Sequence, residues 1–425
     1  MEDAVVPIDE LQERLSELSR AIGRAKRAGE DPAELIAQRK SLQERLEQIQ
    51  PDKPESSKDQ APVLQVISDP AELEALRPQY DELLERSSAV SPFLLLEWLL
   101  PWYRYYGRRL DLHCAVVRQG DRLLAAAPLT VERTRGGLRH EIVRFLGTGR
   151  GLRGNYFNLI LDPAEPAGTD LLLEHLSGLL EDRRVLRLEH LSPYADGRET
   201  VALLLREAGR EAVVQAEHGC VKGALPETFA QFVKNVPAPI RRNHLRAGDH
   251  NICQHFGGAD YDLCTRPEQV EEFLDNVGFL NTLRKRRIGL KSSWDDERNH
   301  ACRVDIAQGM LRRGALRLER VGCGGNIMAA LIGFVFKNRY FCYNIGFNQN
   351  YAQYEPGHVL LARRIRDCIA EGLSEFDFLV GDVAYKKQYF RDSTPELLLT
   401  ALPPRGQGRL AQTAYMFARS IKRWR

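Results

Sequence analysis

In residues 1–50, apolar side chains recur at alternating steps of three and four, which is the spacing of one helical face. One series runs over 8–25 and the other over 35–49. A glycine, an aspartate and a proline at 29–32 supply a helix stop, a cap and a first-turn residue between them. This pattern predicts a helical hairpin or coiled-coil arm over 1–50, which would serve either self-association or packing on the main body. The polar, proline-punctuated stretch 51–62 predicts a linker.

From Val63 onward, β-rich runs alternate with amphipathic helical patterns, which predicts a mixed α/β (α+β) fold. One arrangement occurs twice: a helix followed by a hairpin with a glycine turn, at Gly120 and again at Gly324-Gly325. In both copies the second strand is rich in alanine and larger apolar residues. We therefore expect an internal duplication, with a first lobe over 63–220 and a second over 221–400.

Other patterns predict single elements within this frame. Pro70 to Ser87 predicts one helix, Tyr156 to Leu161 a strand, and Asn251 to Tyr261 an extended segment. Trp98 and Trp102 lie four residues apart in a strongly apolar helical pattern, which is typical of core packing.

The segment 340–390 contains most of the candidate functional residues. It predicts a strand over 340–347, a helix over 359–372 and a second strand over 375–380 that ends in the polar sequence GDVAYKK. In a βαβ unit both strand ends and the helix start lie at the same end of the sheet, where α/β folds usually bind ligands. We expect the functional site there.

Composition narrows the function classes. The chain has 425 residues, 28% of them charged, and a formal net charge of +2, so no global field argues for binding to DNA. The start of the chain is acidic and the eight cysteines form no C-x-x-C pair, so we expect reduced thiols in a cytoplasmic setting. His250, Cys253, His255 and Cys264 fit no standard zinc spacing, and we expect no metal.

The predicted tail, residues 401–425, carries apolar residues on one helical face with arginines and a lysine around it. A basic amphipathic helix of this kind either packs on the protein body or lies on an anionic membrane. The second possibility would place the protein peripherally at the inner membrane face.

Several stretches of the chain match motifs of one known family. The matching stretches are Gly324–Ala330, Tyr343–Phe347, Glu355–Leu360, Phe376–Asp382 and Tyr385-Lys386. Together with Ser91-Pro92-Phe93 before the tryptophan helix, they resemble GNAT-fold acyltransferases of the BioF2-like type. This group is associated with cellulose and exopolysaccharide biosynthesis and is related to the Fem peptidyl transferases. The resemblance covers roughly residues 63–390.

The resemblance implies tandem GNAT-like lobes, with the C-terminal lobe moving an acyl group, acetyl first, from acyl-CoA. The acceptor would be an amine or hydroxyl of a small molecule or of an envelope or polysaccharide precursor. Asp382 would act as base and Tyr385 as acid, and Lys386 would bind a phosphate or an acidic group. The candidate donor-binding residues are Tyr354, Pro356, Gly357 and His358, and the candidate substrate-binding residues are Tyr343, Asn344, Asp377 and Arg287.

Two alternatives stay open. The usual GNAT pyrophosphate loop, R/Q-x-x-G-x-G/A, is absent, and Glu355 stands before the helix where it would repel a phosphate. A Fem-like ligase that uses aminoacyl-tRNA therefore remains possible. So does a non-catalytic GNAT-like scaffold that docks partners through its helical arm.

Overall fold

The computed structural model describes residues 14, 34–35, 37–38, 40–42, 60–134, 140–180, 183–208, 212–237, 248–403 and 410. The chain divides into two compact units, Met1–Ala61 and Pro62–Arg425. In the first unit, every described position from 14 to 42 is helical. The remainder of the predicted arm, most of the linker and most of the tail lie outside the described residues.

Helices and strands alternate through the second unit, as the periodicity predicts. The strands are β1 Val63–Ile67, β2 Leu110–Gln119, β3 Arg122–Arg133, β4 Glu141–Phe145, β5 Ile160–Leu161, β6 Arg184–Leu191, β7 Ala212–Ala224, β8 Asp260–Leu263, β9 Leu316–Cys323, β10 Asn326–Phe336, β11 Arg339–Phe347, β12 Glu375–Val380 and β13 Asp392–Ala401. The helices are α1 Pro70–Ala75, α2 Arg77–Arg86, α3 Leu96–Tyr106, α4 Pro166–Gly178, α5 Ala195–Ala208, α6 Phe229–Asn235, α7 Gly248–Phe256, α8 Val270–Arg287, α9 Glu297–Arg312, α10 Pro356–Ala370 and α11 Ala384–Lys387. Short 3₁₀ turns occupy Pro92–Leu94, Gly107–Arg109, Pro267–Gln269 and Gln349–Tyr354.

All the described strands belong to one sheet of 13 strands, in the order β1-β2-β3-β4-β6-β13-β7-β12-β11-β10-β9-β8, with β5 beside β3. The order reads as two similar halves that meet at β13 and β7. We call β1–β6 with their helices the N-terminal lobe and β8–β12 with theirs the C-terminal lobe. Each lobe contains an antiparallel hairpin, β2–β3 or β9–β10, and one parallel pair, β4–β6 or β11–β12. The predicted mixed α/β fold is confirmed.

The two lobes exchange their last strands. The strand β7 follows the N-terminal lobe in sequence but pairs with β12, and β13 follows the C-terminal lobe but pairs with β6. The two exchanged strands also pair with each other. A boundary at 220/221 therefore falls inside β7, and the sheet continues across it.

The core is continuous between the lobes. One buried cluster joins Trp98 and Trp102 of the N-terminal lobe to Leu280, Phe334 and Phe341 of the C-terminal lobe. Both tryptophans are fully buried, as predicted. A second cluster packs α10 against the opposite face of β10–β12. Burial of apolar area at this interface holds the lobes together.

Three predicted elements are corrected. The predicted helix over 70–87 is broken at Leu76, because Pro78 has no N–H to donate and sits in the first turn of α2. The predicted strand over 156–161 keeps only Ile160–Leu161. The predicted extended segment over 251–261 is instead helix α7 followed by β8.

Candidate active site

The strands β11 and β12 form a fork. Residues 339–341 pair in parallel with residues 375–377, and the pairing then stops. Both strands continue, β11 to Phe347 and β12 to Val380. Beyond residues 341 and 377 the two strands no longer pair with each other, and we call this end of the β11–β12 pair the C-terminal fork. Unpaired backbone groups along such a fork need partners, and a ligand can supply them.

A β-bulge shapes one wall of the C-terminal fork. Asn344 lies opposite Ile332 and Cys342 lies opposite Gly333, so Tyr343 is an extra residue in β11. Bulges bend a strand and redirect its side chains. The Tyr343 hydroxyl donates to the carbonyl oxygen of Arg153 in the N-terminal lobe at 2.9 Å.

Helix α8 holds the residue after the bulge. The side-chain amide of Asn281 on α8 donates to Oδ1 of Asn344 at 2.9 Å. Asn344 stays half-buried, whereas the ring of Tyr343 packs on Phe93 and Trp98. Of the two predicted acceptor-side residues, Asn344 lines the wall and Tyr343 anchors it to the other lobe.

The start of helix α10 lies at the mouth of the C-terminal fork, since α10 follows β11. Glu355 caps the helix in the left-handed conformation, with φ of 49°, and Pro356 is the first helical residue. A Cβ on Gly357 would lie 3.4 Å from Cδ1 of Phe347, which is an ordinary contact. The helix start offers amide groups and a partial positive charge to a ligand.

Aromatic side chains flank the helix start. Nδ1 of His358 lies 2.8 Å from the hydroxyl of Tyr389, and the two rings stack. Tyr354 ends the 3₁₀ turn that precedes α10, and its ring packs on His255 and Phe256 of α7 at centroid distances of 5.0 Å. Tyr354 and His358, two of the four predicted donor-binding residues, thus lie next to the mouth and are held by neighbouring rings.

Lys386 lies at the C-terminal fork. Its Nζ donates to the carbonyl oxygens of Phe378 at 2.8 Å and Val380 at 2.7 Å, with a longer contact of 3.5 Å to Leu379. Burial lowers the pKa of Lys386. Among the described residues, the acceptors that it meets are carbonyl groups of strand β12 and not a carboxylate. The carboxylates of Asp377 and Asp382 act on the ammonium through space, and their negative charges oppose the effect of burial on its pKa.

Asp382 and Tyr385 stand at the outer edge of the C-terminal fork. Oδ1 of Asp382 forms an ion pair with Nζ of Lys387 at 2.8 Å, and both side chains are partly exposed. The ring of Tyr385 sits half-buried between the rings of His358 and Phe378. Burial raises the pKa of Tyr385 above its usual value. The predicted base is thus accessible, and the predicted acid keeps its proton at neutral pH.

Asp377 is not available to a substrate. Its side chain is 0% exposed. Its carboxylate accepts hydrogen bonds from the Tyr156 hydroxyl at 3.0 Å, from the Leu379 amide at 2.6 Å and from the Tyr194 hydroxyl. Burial raises the pKa of Asp377 to about 6. The structure argues against the predicted substrate contact, because this carboxylate joins β12 to two tyrosines of the N-terminal lobe.

The basic end of α8 spans the mouth of the C-terminal fork. Nη1 of Arg287 lies 3.4 Å from Oε1 of Gln349, in the 3₁₀ turn before α10. The positive charge of Arg284 is close enough to act on the phenol of Tyr385. The predicted residue Arg287 therefore lies beside the donor-binding candidates, and its guanidinium stays exposed.

A buried polar cluster at the lobe junction escaped the sequence reasoning. Glu396 of β13 is 0% exposed and accepts from Nη2 of Arg153 at 2.7 Å and from the amide of Asn155 at 2.8 Å. Nδ1 of His190 lies 3.2 Å from Glu217 and 3.3 Å from Glu396. Burial opposes the charge on His190, but both hydrogen-bonded carboxylates outweigh it and raise its pKa to about 9. No sequence motif connects these positions, since four separate segments supply them.

The same cluster is the one place in the described residues where three potential metal ligands converge. One atom each of His190, Glu217 and Glu396 lies within 4.8 Å of the others. The guanidinium of Arg153 already contacts Glu396, and its Nη2 lies 3.1 Å from Nδ1 of His190. A cation would face that guanidinium, so the cluster fits an ion-pair network better than a metal site.

The equivalent fork of the N-terminal lobe is closed. Here β4 and β6 also pair in parallel over three residues, 141–143 against 184–186. Beyond that point the Phe157 amide donates to the His190 carbonyl at 2.9 Å, and the Ser192 amide donates to the Phe157 carbonyl at 3.1 Å. The chain itself fills the gap, and Tyr156 and Phe157 are fully buried.

A groove of about 1200 Å³ lies elsewhere, between α3 and α9. Its charges are largely paired: Arg77 with Glu97 at 2.6 Å, and Arg313 with Asp81 at 2.7 Å. Because these ion pairs neutralise each other, the groove offers less chemistry than the C-terminal fork.

No helix in the described part of the chain combines the length and the apolarity that crossing a bilayer requires.

Residues 240–387 match the family model described as an acetyltransferase (GNAT) domain. This stretch contains the C-terminal fork, α10, Asp382, Tyr385 and Lys386. No curated protein matches the chain.

The architecture is similar to that of solved structures. FemX aligns with a TM-score of 0.55 at 8% identity, over 77% of this chain and 96% of that chain. A tandem GNAT protein from the clavulanic acid biosynthesis pathway aligns with a TM-score of 0.43 at 13% identity, over 80% of this chain and 98% of that chain. L-PGS from Bacillus licheniformis aligns with a TM-score of 0.43 at 12% identity, over 80% of this chain and 93% of that chain. At 8% identity the likeness to FemX concerns the fold alone.

The domain match and the C-terminal fork both lie in the C-terminal half of the chain. The chain carries an acetyltransferase (GNAT) domain in its C-terminal half and is an N-acetyltransferase-like enzyme.

Proposed function

We propose that the protein transfers an acyl group, acetyl first, from acyl-CoA to an amine or hydroxyl acceptor in the C-terminal fork. The observation that carries this proposal is the contrast between the two forks. Both parallel pairs stop after three residues, but the chain fills only the fork of the N-terminal lobe. An open fork beside a helix start, within an acetyltransferase domain, is suited to a thioester donor.

The donor would bind along the mouth. The amides at the start of α10 and its partial positive charge suit a pyrophosphate. Arg284 and Arg287 add positive charge from α8 on the same side. The unpaired edge of β11 can pair with the amides of an extended ligand. Glu355 is left as an opposing charge, and its carbonyl rather than its side chain takes part in capping.

Each candidate group has one task in the transfer. Asp382 accepts the proton of the acceptor as its nitrogen or oxygen bonds to the thioester carbon. The ammonium of Lys386 stabilises the negative charge that develops on the carbonyl oxygen. Tyr385 donates its proton to the leaving thiolate as the carbon–sulfur bond breaks. Products are the acylated acceptor and free CoA, and exchange with water returns the proton that Asp382 gained to the phenolate of Tyr385.

The test is release of free thiol from acetyl-CoA and longer acyl-CoAs with a panel of amines and hydroxyl compounds. Lys386→Met removes the proposed charge and should lower kcat about 100-fold or more, with a smaller effect on the KM of the donor. Lys234→Met, at an exposed position of α6, removes the same charge elsewhere and should keep the wild-type rate.

The outcome also separates the alternatives. Equal rates for Lys386→Met and the wild type would remove Lys386 from the mechanism, provided that both are folded by circular dichroism. Transfer from aminoacyl-tRNA, with none from any acyl-CoA, would move the donor to the Fem-like ligase class. Absence of transfer from both donors would favour a non-catalytic scaffold.

A further inference from the structure

Large apolar side chains are exposed at the end of helix α8. Leu283 is 37% exposed, Ile288 is 62% exposed and Leu290 is 51% exposed. They lie within eight residues of one another, on the last turns of α8 and the turn that follows. Three such side chains so close together on a surface mark a binding site more often than chance exposure.

Positive charges surround these apolar side chains. The cations of the segment 284–291 are Arg284, Lys285, Arg286, Arg287 and Lys291. We call them, with Leu283, Ile288 and Leu290, the apolar–basic patch. The acidic residues of α8 lie in its first half, at 271, 272 and 275. Asp295 approaches one member of the patch, Arg286, at 3.6 Å.

The combination discriminates between partners. A nucleic acid backbone is bound by cations, and exposed aliphatic side chains do not contribute to that electrostatic binding. An acidic protein would satisfy the charges, but a set of flexible cations around aliphatic side chains matches an anionic bilayer surface better. There the apolar groups enter the interface while the cations meet lipid phosphates.

We propose that the apolar–basic patch docks the protein on an anionic membrane surface. Ile288 and Leu290 enter the interfacial region, and the cations of the segment contact anionic headgroups. The patch adjoins the mouth of the C-terminal fork, because Arg287 lies beside Gln349 in the 3₁₀ turn before α10. Docking therefore sets the mouth at the lipid surface, which suits an acceptor carried by a lipid. This inference goes beyond the proposed transfer activity, and membrane binding is measured independently of that activity.

The experiment is co-sedimentation of the full chain with vesicles of phosphatidylcholine alone or with about one third phosphatidylglycerol, at low and high salt. We expect partition onto the anionic vesicles only, weakened by salt. Ile288→Ser with Leu290→Ser should lower the partition coefficient at least about tenfold, since insertion is lost. Lys285→Gln with Lys291→Gln should lower it by a similar factor, because each cation near the surface contributes.

The matched control is Val63→Ser. Val63 is 59% exposed on β1, which forms the opposite edge of the sheet from β8, and its removal should leave partition unchanged. Partition that the Ile288 and Leu290 changes do not alter would overturn the proposal, as would no partition onto anionic vesicles. Retention on tRNA that depends on the two lysines but not on Ile288 and Leu290 would overturn it in favour of RNA.

Discussion

Lys386 shows what a single residue reveals only in three dimensions. Its place after a β-strand made it a candidate, but the sequence could not show that its ammonium turns back onto the carbonyls of β12. Because burial lowers its pKa and those acceptors are neutral, the charge is held at the fork at an energetic cost. A buried cation without a contacting acid is typical of a site that stabilises negative charge in a reaction.

Asp377 and Glu396 are two residues whose roles could not be predicted from the sequence. From the sequence, a carboxylate at an inward strand position made Asp377 a candidate site residue. The structure shows hydrogen bonds from two tyrosines across the lobe junction, and these give Asp377 an internal role instead. Glu396 drew no attention because its partners Arg153, Asn155 and His190 come from distant parts of the sequence. Single-sequence motifs detect local spacing and not such convergence.

His190 should make stability depend on pH. A histidine with a folded pKa of about 9 and an unfolded value near 6.5 stabilises fully below pH 6.5, and this contribution is lost as pH rises through 9. The loss is up to about 3 kcal/mol. Urea unfolding of the wild type between pH 6.5 and 9.5 should show this loss. His190 has a left-handed backbone, with φ of 57°, which asparagine tolerates, so His190→Asn should flatten the profile.

The control for this experiment is His113→Asn. Burial lowers the pKa of His113 to about 4, so His113 is neutral throughout the alkaline range. Its replacement should leave the slope between pH 6.5 and 9.5 as in the wild type. A flat wild-type profile, or an unchanged slope in His190→Asn, would show that His190 is not charged in the folded protein.

At the scale of elements, periodicity predicted those whose apolar faces meet the core, including both hairpins and the strand–helix–strand unit of β11, α10 and β12. It failed where tertiary contacts decide. Helix α7 carries residues with no strong helical preference, and its Phe256 packs on Tyr351 and Tyr354. The strand β13 begins with the polar residues 392–396 and was missed, yet it completes both the sheet and the polar cluster.

The start of α10 is the element on which the donor assignment depends. The family-like sequence around Pro356 and Gly357 was visible, but the bulge at Tyr343 and the end of strand pairing were not. A Cβ at Gly357 fits against Phe347, so small side chains are compatible with the backbone there. A large ring attached to that Cβ would add bulk at the helix start, where the donor is proposed to bind.

At the scale of the whole molecule, strand exchange makes each lobe depend on the other. The repeated hairpins in the sequence indicated the duplication. A repeated pattern does not predict, however, whether the last strand of each copy pairs within its own lobe or with the other lobe. Since β7 and β13 pair across the junction, the second unit should unfold as one cooperative body despite its two lobes.

Tyr194→Phe tests this coupling. It removes a hydroxyl donor from the buried carboxylate of Asp377, which should cost about 1–3 kcal/mol of unfolding free energy. Tryptophan fluorescence and far-ultraviolet circular dichroism should report a single coincident transition, shifted equally by the change. Two separate transitions, of which Tyr194→Phe moves only one, would show that the lobes fold independently.

The central claim is that an acyl-CoA binds at the start of α10 in the C-terminal fork, and calorimetric titration with acetyl-CoA tests it most directly. We expect binding to the wild type and to Gly357→Ala, whose methyl group fits against Phe347. We expect no binding to Gly357→Trp, whose ring would add bulk where the donor is proposed to bind. Gly178→Trp, where an added Cβ meets nothing within 4 Å on α4, should bind as the wild type does. Equal binding by Gly357→Trp, or no binding by the wild type to any acyl-CoA, would contradict the account.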